Sequence, residues 1–104
     1  MEDSPKPLRV LIVDDDPATL ALERKNLVRA GYIVIDAPTL DLAQEALRAR
    51  QVDVMVLDYS LDGPVSGLEF YRSMLQMGFD VPAILVTGFS DESRAVEALS
   101  LINI

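Results

Sequence analysis

Three apolar runs in this chain each end on residues able to do phosphate or metal chemistry. Leu8-Arg9-Val10-Leu11-Ile12-Val13 runs into Asp14-Asp15-Asp16, Val52-Asp53-Val54-Met55-Val56-Leu57 runs into Asp58, and Val81-Pro82-Ala83-Ile84-Leu85-Val86 runs into Thr87-Gly88. Runs that are apolar nearly throughout suit strands covered on both faces of a parallel sheet, not half-exposed antiparallel strands. Helical patterns separate them, the βαβα alternation of an α/β protein. Parallel strands place their carboxyl ends on one edge, where open α/β sheets bind ligands. Four carboxylates and a hydroxyl, distant in sequence, are then expected in one crevice.

The connecting segments carry their own punctuation. Asp16 is an N-cap with Pro17 at the first helical position, and Gly31 suits the left-handed end of the helix that follows. Tyr32–Ile35 reads as a second strand, short and with polar flanks, hence an edge. Thr39 caps a second helix running to about Arg50, with Leu40, Ala43 and Leu47 on one face. Ser66 and Glu69 have capping-box spacing for a third helix, with Leu68, Tyr71 and Leu75 as its expected buried stripe and Gly78 at its end. A fourth helix is expected from about Ser90 or Asp91, carrying Ala95, Val96 and Leu99.

At 104 residues the chain suits one domain with one core. Residues 1–7 read as a flexible lead-in, acidic and Pro-rich with no signal-peptide core, and 8–104 as the domain. No apolar stretch reaches membrane-spanning length, so a cytoplasmic protein is expected. The net charge of −8 disfavours direct binding to nucleic acid or an anionic membrane. With no Cys and no His, the chain has no disulfide, no thiolate chemistry, no His base and no phosphohistidine of its own. Neither a G-x-G-x-x-G after the first strand nor a G-x-x-x-x-G-K-[ST] occurs, which weakens a nucleotide site.

Asp16 reads as a cap, Asp62 as a turn residue and Asp53 as a strand-start residue in solvent. Asp14, Asp15 and Asp58 differ, because each follows a buried strand at the rim of a low-dielectric core. Two like charges about 4 Å apart at an effective dielectric of 20 repel by roughly 4 kcal/mol. Protonation, a basic side chain or a divalent cation can relieve this. The only lysines are Lys6 and Lys25, so a hard cation with oxygen ligands is the favoured answer. Mg²⁺ suits one or two carboxylates, several waters and a phosphate. A merely structural acid cluster is the alternative. Opposite these acids, the Thr87 hydroxyl and the Gly88 N–H could hold phosphoryl oxygens; by themselves they also suit a small-residue turn.

These residues resemble the receiver domains of two-component response regulators, from about Leu8 to Leu99. Val10-Leu11-Ile12-Val13-Asp14-Asp15-Asp16-Pro17 is similar to the family's strand 1 and acid pair. Asp53-Val54-Met55-Val56-Leu57-Asp58-Tyr59 is similar to strand 3 with its phosphoacceptor, Gly67-Leu68-Glu69 to the start of helix 3, and Pro82–Gly88 to strand 4 with its switch hydroxyl. The resemblance implies a flavodoxin-like doubly wound sheet in the order 2-1-3-4. It implies Asp58 as the acceptor of a phosphoryl group from a histidine kinase or phosphotransfer protein. Asp15 would ligate Mg²⁺ directly, Asp14 mostly through water, and the Ser60 carbonyl would be the third protein ligand. Thr87 would hydrogen-bond the phosphoryl group and switch, beside the Gly88 N–H. At most, such a chain catalyses its own phosphorylation and dephosphorylation.

Receivers continue to a fifth strand ending in Lys and a fifth helix. No Lys follows Lys25 here, and Asp62 stands where the family usually has Pro. The fifth strand and helix are therefore expected to be missing or supplied by another chain. That predicts a homodimer or domain-swapped oligomer through strand 4 and the C-terminal segment, with Leu99, Leu101, Ile102 and Ile104 in the contact. Two other functions compete: a degenerate, non-phosphorylated receiver acting as an interaction or dimerisation module, and a small metal-dependent phosphohydrolase, which lacks an accompanying acid–base residue.

Overall fold

A computed structural model describes residues 6–58 and 67–86. Among them lie four strands, β1 (Arg9–Val13), β2 (Ile33–Ala37), β3 (Val54–Asp58) and β4 (Ala83–Val86), and three helices, α1 (Pro17–Arg29), α2 (Leu40–Arg48) and α3 (Gly67–Gln76). All pairings are parallel, in the order β2-β1-β3-β4. The chain steps one way from β1 to β2, then back across β1 to β3, and onward to β4. Right-handed crossovers therefore send α1 to one face and α2 and α3 to the other.

Side-chain alternation along the strands fills both faces. Leu11, Val13, Met55 and Leu57 pack with Ala43 and Leu47 of α2 and Phe70 and Met74 of α3. Val10, Ile12, Val54, Val56 and Val86 pack with Leu20 and Leu27 of α1. Burial on both faces is why Val10–Val13 of β1 and Val54–Leu57 of β3 are apolar without a break. β2 is an edge, as its polar flanks predict, although it runs to Ala37, two residues past the expected end; Ala37 pairs with Val13 and is buried.

The helix ends obey the sequence. The Asp16 carboxylate accepts from the Thr19 amide, and Pro17 opens α1. Gly31, at φ +100°, closes a Schellman turn in which Tyr32 N–H donates to Leu27 and Gly31 N–H to Val28. Gly78, at φ +91°, closes α3 in the same way, with Phe79 N–H donating to Met74. Thr39 caps α2, which ends two residues earlier than expected; Arg50 takes the left-handed turn at φ +55° with its guanidinium over the Phe79 ring.

One expectation is corrected. The buried stripe of α3 is Gly67, Phe70 and Met74, with Leu68 and Tyr71 half-buried and Leu75 exposed. The Leu68/Tyr71/Leu75 and Phe70/Met74 sets both have helical spacing, and packing selects the second. The expected fourth helix lies outside the described residues. Among the described residues, no helix is long and apolar enough to cross a membrane.

Candidate functional site

The topology creates one switch point, between β1 and β3, where successive crossovers leave on opposite faces. Open α/β sheets bind ligands at the carboxyl edge of such a point. The register then decides which side chains meet there. Val10 pairs with Val54 and Val13 with Leu57, so one step further Asp14 lies abreast of Asp58. Both continue the alternation that sends Val10, Ile12, Val54 and Val56 toward the α1 face. The Asp14 amide extends the ladder by donating to Ala37 O at 3.3 Å. Asp15 begins the turn into α1.

The outcome is a cluster: Asp14, Asp15 and Asp58 each present a carboxylate oxygen, all within 4.8 Å of one another. Asp14 is buried, at 7% exposure, and the other two are half-buried. Burial pushes the Asp14 carboxyl above its ordinary range, and the charges of Asp58 and Asp15 add to the rise. The Asp16 amide opposes it by donating to Asp14 Oδ1 at 2.9 Å.

A hard divalent ion fits this donor set. All three groups are oxygen ligands. In an octahedron with Mg–O bonds of 2.0–2.1 Å, opposite oxygens stand about 4.1 Å apart. At most one pair among three ligands can be opposite, and neighbouring oxygens stand about 2.9 Å apart, so the carboxylates, within 4.8 Å of one another, would draw closer around an ion.

Asp16 does not join the cluster. Its Oδ2 accepts from the Thr19 amide at 3.2 Å and from the Thr19 hydroxyl, and these bonds hold its carboxyl below the ordinary range. Asp53 does not join either, nor does it stand free in solvent. It lies at the opposite edge of the sheet, where Oδ2 accepts from the Arg9 amide (2.8 Å) and Nε (3.2 Å), and Oδ1 from the outer guanidinium nitrogen (3.2 Å). The fork shifts Asp53 downward. The expected ligand Ser60, the expected phosphoryl-binding pair Thr87 and Gly88, and the turn residue Asp62 lie outside the described residues. One buried acid escaped the sequence reading: Glu23, on the α1 stripe between Leu20 and Leu27. Its spacing within that stripe was the available signal.

The family model for the response regulator receiver domain matches residues 10–102, and this chain belongs to that family. It is 36% identical over 94 residues to the C4-dicarboxylate transport transcriptional regulatory protein DctD of Pseudomonas aeruginosa, covering 88% of this chain and 20% of that protein. It is 34% identical over 88 residues to the heme response regulator HssR of Staphylococcus saprophyticus, covering 82% of this chain and 38% of that protein. The chain thus spans well under half the length of these relatives. Among solved structures, the response regulator TrrA of Thermotoga maritima, in complex with Mg²⁺ and BeF, superposes with a TM-score of 0.70 at 30% identity, over 80% of this chain and 71% of that one. Receiver domains of two-component systems bind Mg²⁺ at an acidic pocket and interact with histidine kinases or phosphotransfer proteins.

Proposed function

We propose that this chain is a phosphoryl-accepting switch: Asp58 takes a phosphoryl group from a phosphohistidine on a histidine kinase or phosphotransfer protein, in an Mg²⁺-dependent reaction. The observation that carries this reading is the convergence of Asp14, Asp15 and Asp58 at the switch point of the sheet. Asp15 and Asp58 are the proposed direct metal ligands with the Ser60 carbonyl, and Asp14 acts mostly through water. The ion would supply charge neutralisation for the phosphoryl oxygens. Phosphoryl transfer asks for little else beyond in-line positioning.

In the proposed step an Asp58 oxygen attacks phosphorus. The O–P bond forms, the donor's N–P bond breaks, and the imidazole nitrogen leaves with the electron pair. A carboxylate nucleophile has no proton to shed, which suits a chain without His. Thr87 would hydrogen-bond the transferred group and move on its arrival, with the Gly88 N–H beside it. Hydrolysis of the acyl phosphate returns the carboxylate, so any catalysis is confined to the chain's own phosphorylation state.

Residues 8–104 are the proposed domain and 1–7 its lead-in, in a cytoplasmic protein. Proteins, rather than nucleic acid or membrane, are the proposed partners of a chain of net charge −8. DctD is named a transcriptional regulator, but this chain matches only 20% of it. A homodimer or domain-swapped oligomer, docked through β4 and the C-terminal segment, is the proposed assembly.

Intact mass after incubation with Mg²⁺ and acetyl phosphate tests the central step. One added phosphoryl group is expected, absent with EDTA and absent in Asp58→Asn. An unmodified mass with the fold intact favours the non-phosphorylated interaction module instead.

A further inference from the structure

Asp14-Asp15-Asp16 offers three consecutive acids at the carboxyl edge of β1, yet only the first two enter the cluster. The third is close at hand. Its own amide donates to Asp14 Oδ1 at 2.9 Å, and an Asp side chain is too short to carry its carboxylate far from its own amide. Its Oδ2 is engaged by Thr19, one turn into α1, whose amide and hydroxyl both donate to it.

The number of carboxylates on a site helps decide its ion. Mg²⁺ keeps several waters and takes one or two carboxylates, in a tight octahedron. Ca²⁺ accepts six to eight oxygens in a loose shell and gains from each added carboxylate. A fourth acid would also repel an incoming phosphoryl dianion. We infer that Thr19 is a positioning residue that locks Asp16 out of the cluster and so sets the preference of the centre for Mg²⁺ over Ca²⁺. This rests on reading Asp14, Asp15 and Asp58 as a cation site. It adds a selectivity device built from the helix cap.

Calorimetric titration of the chain with Mg²⁺ and with Ca²⁺ tests it, with circular dichroism monitoring the helix. Thr19→Val removes the hydroxyl, leaves Asp16 Oδ2 only the backbone amide, and is expected to raise Ca²⁺ affinity relative to Mg²⁺ by roughly twofold to tenfold, the net worth of one hydrogen bond. Thr19→Ser keeps the hydroxyl and is expected to restore the wild-type ratio. Asp16→Ser keeps a capping oxygen and is expected to leave Mg²⁺ affinity within about twofold, since Ser caps as well as Asp. Combined with Thr19→Val, it is expected to abolish the gain in Ca²⁺ affinity. Three results would overturn the lock while leaving the cation site standing: an unchanged ratio in Thr19→Val, the same gain with Asp16 already replaced, or a loss of Mg²⁺ binding in Asp16→Ser as deep as in Asp15→Asn. A wild-type chain that takes up neither ion would remove the site and the lock together.

Discussion

The two ends of strands β1 and β3 make opposite use of aspartate. At the amino edge Asp53 meets Arg9, which offers it an amide and two guanidinium nitrogens across 44 residues of sequence. At the carboxyl edge Asp58 meets Asp14 and Asp15, two more acids. The same pair of strands, in one register, builds both. The carboxyl of Asp53 is pulled down by its partner, and that of Asp14 is pushed up by burial and by its neighbours. One edge pairs an acid with a base; the other sets three acids together. A parallel sheet can hold that contrast because every strand points its carboxyl end the same way. The carboxyl edge, where the crossovers diverge, is also where open α/β sheets bind ligands.

The strongest way to break the comparison is to loosen the strands both ends share. Met55, on β3 and paired with Leu11 of β1, is fully buried on the α2/α3 side of the sheet. Met55→Ala is expected to cost about 2–5 kcal/mol in urea unfolding, the range for truncating a buried methionine. It should weaken Mg²⁺ binding as well, because the register that aligns Asp14 with Asp58 runs through it. An undiminished affinity would show that the carboxyl edge is held independently of the central ladder.

A smaller effect sharpens the contrast. Asp53 has its folded pKa lowered, so its stabilising contribution is present above the ordinary aspartate pKa and is lost as pH falls through the lowered value. Wild type should therefore melt above Asp53→Asn near neutral pH, with the gap closing in acid below the ordinary aspartate range. The pair is partly exposed, at 39% and 34% of the two side chains, so added salt should narrow the gap too. A gap that persists unchanged into strong acid would mean that it comes from hydrogen bonds or packing that Asn fails to reproduce, and that the charge contributes nothing.

Much of this was legible in the chain itself. Apolar runs covered on both faces announced parallel strands. Asp16-Pro17, Gly31 and Gly78 marked helix boundaries through backbone chemistry that is local to each residue. The convergence of Asp14, Asp15 and Asp58 followed from topology alone, because the carboxyl ends of parallel strands share an edge. What escaped depended on long-range packing. Arg9 and Asp53 become partners only once β1 and β3 take their register, so Asp53 read as a solvated strand start. In α3 two apolar stripes have equally good helical spacing, and nothing local prefers Phe70 and Met74 over Leu68 and Leu75. Glu23 sits on a buried stripe that composition alone assigns to solvent. The proposed roles of Ser60, Thr87 and Gly88 remain those that the resemblance implies, since these residues lie outside the described ones.

The claim under all of this is that three crowded carboxylates cost stability until a cation joins them. Urea unfolding of wild type and Asp58→Asn, each with EDTA and with millimolar Mg²⁺, measures it directly. Without the ion the Asn variant should be the more stable by about 1–2 kcal/mol, a like-charge contact discounted for solvent. With Mg²⁺ wild type should gain through binding linkage and overtake a variant that barely responds. Equal stabilities in EDTA, with no response of wild type to Mg²⁺, would contradict it.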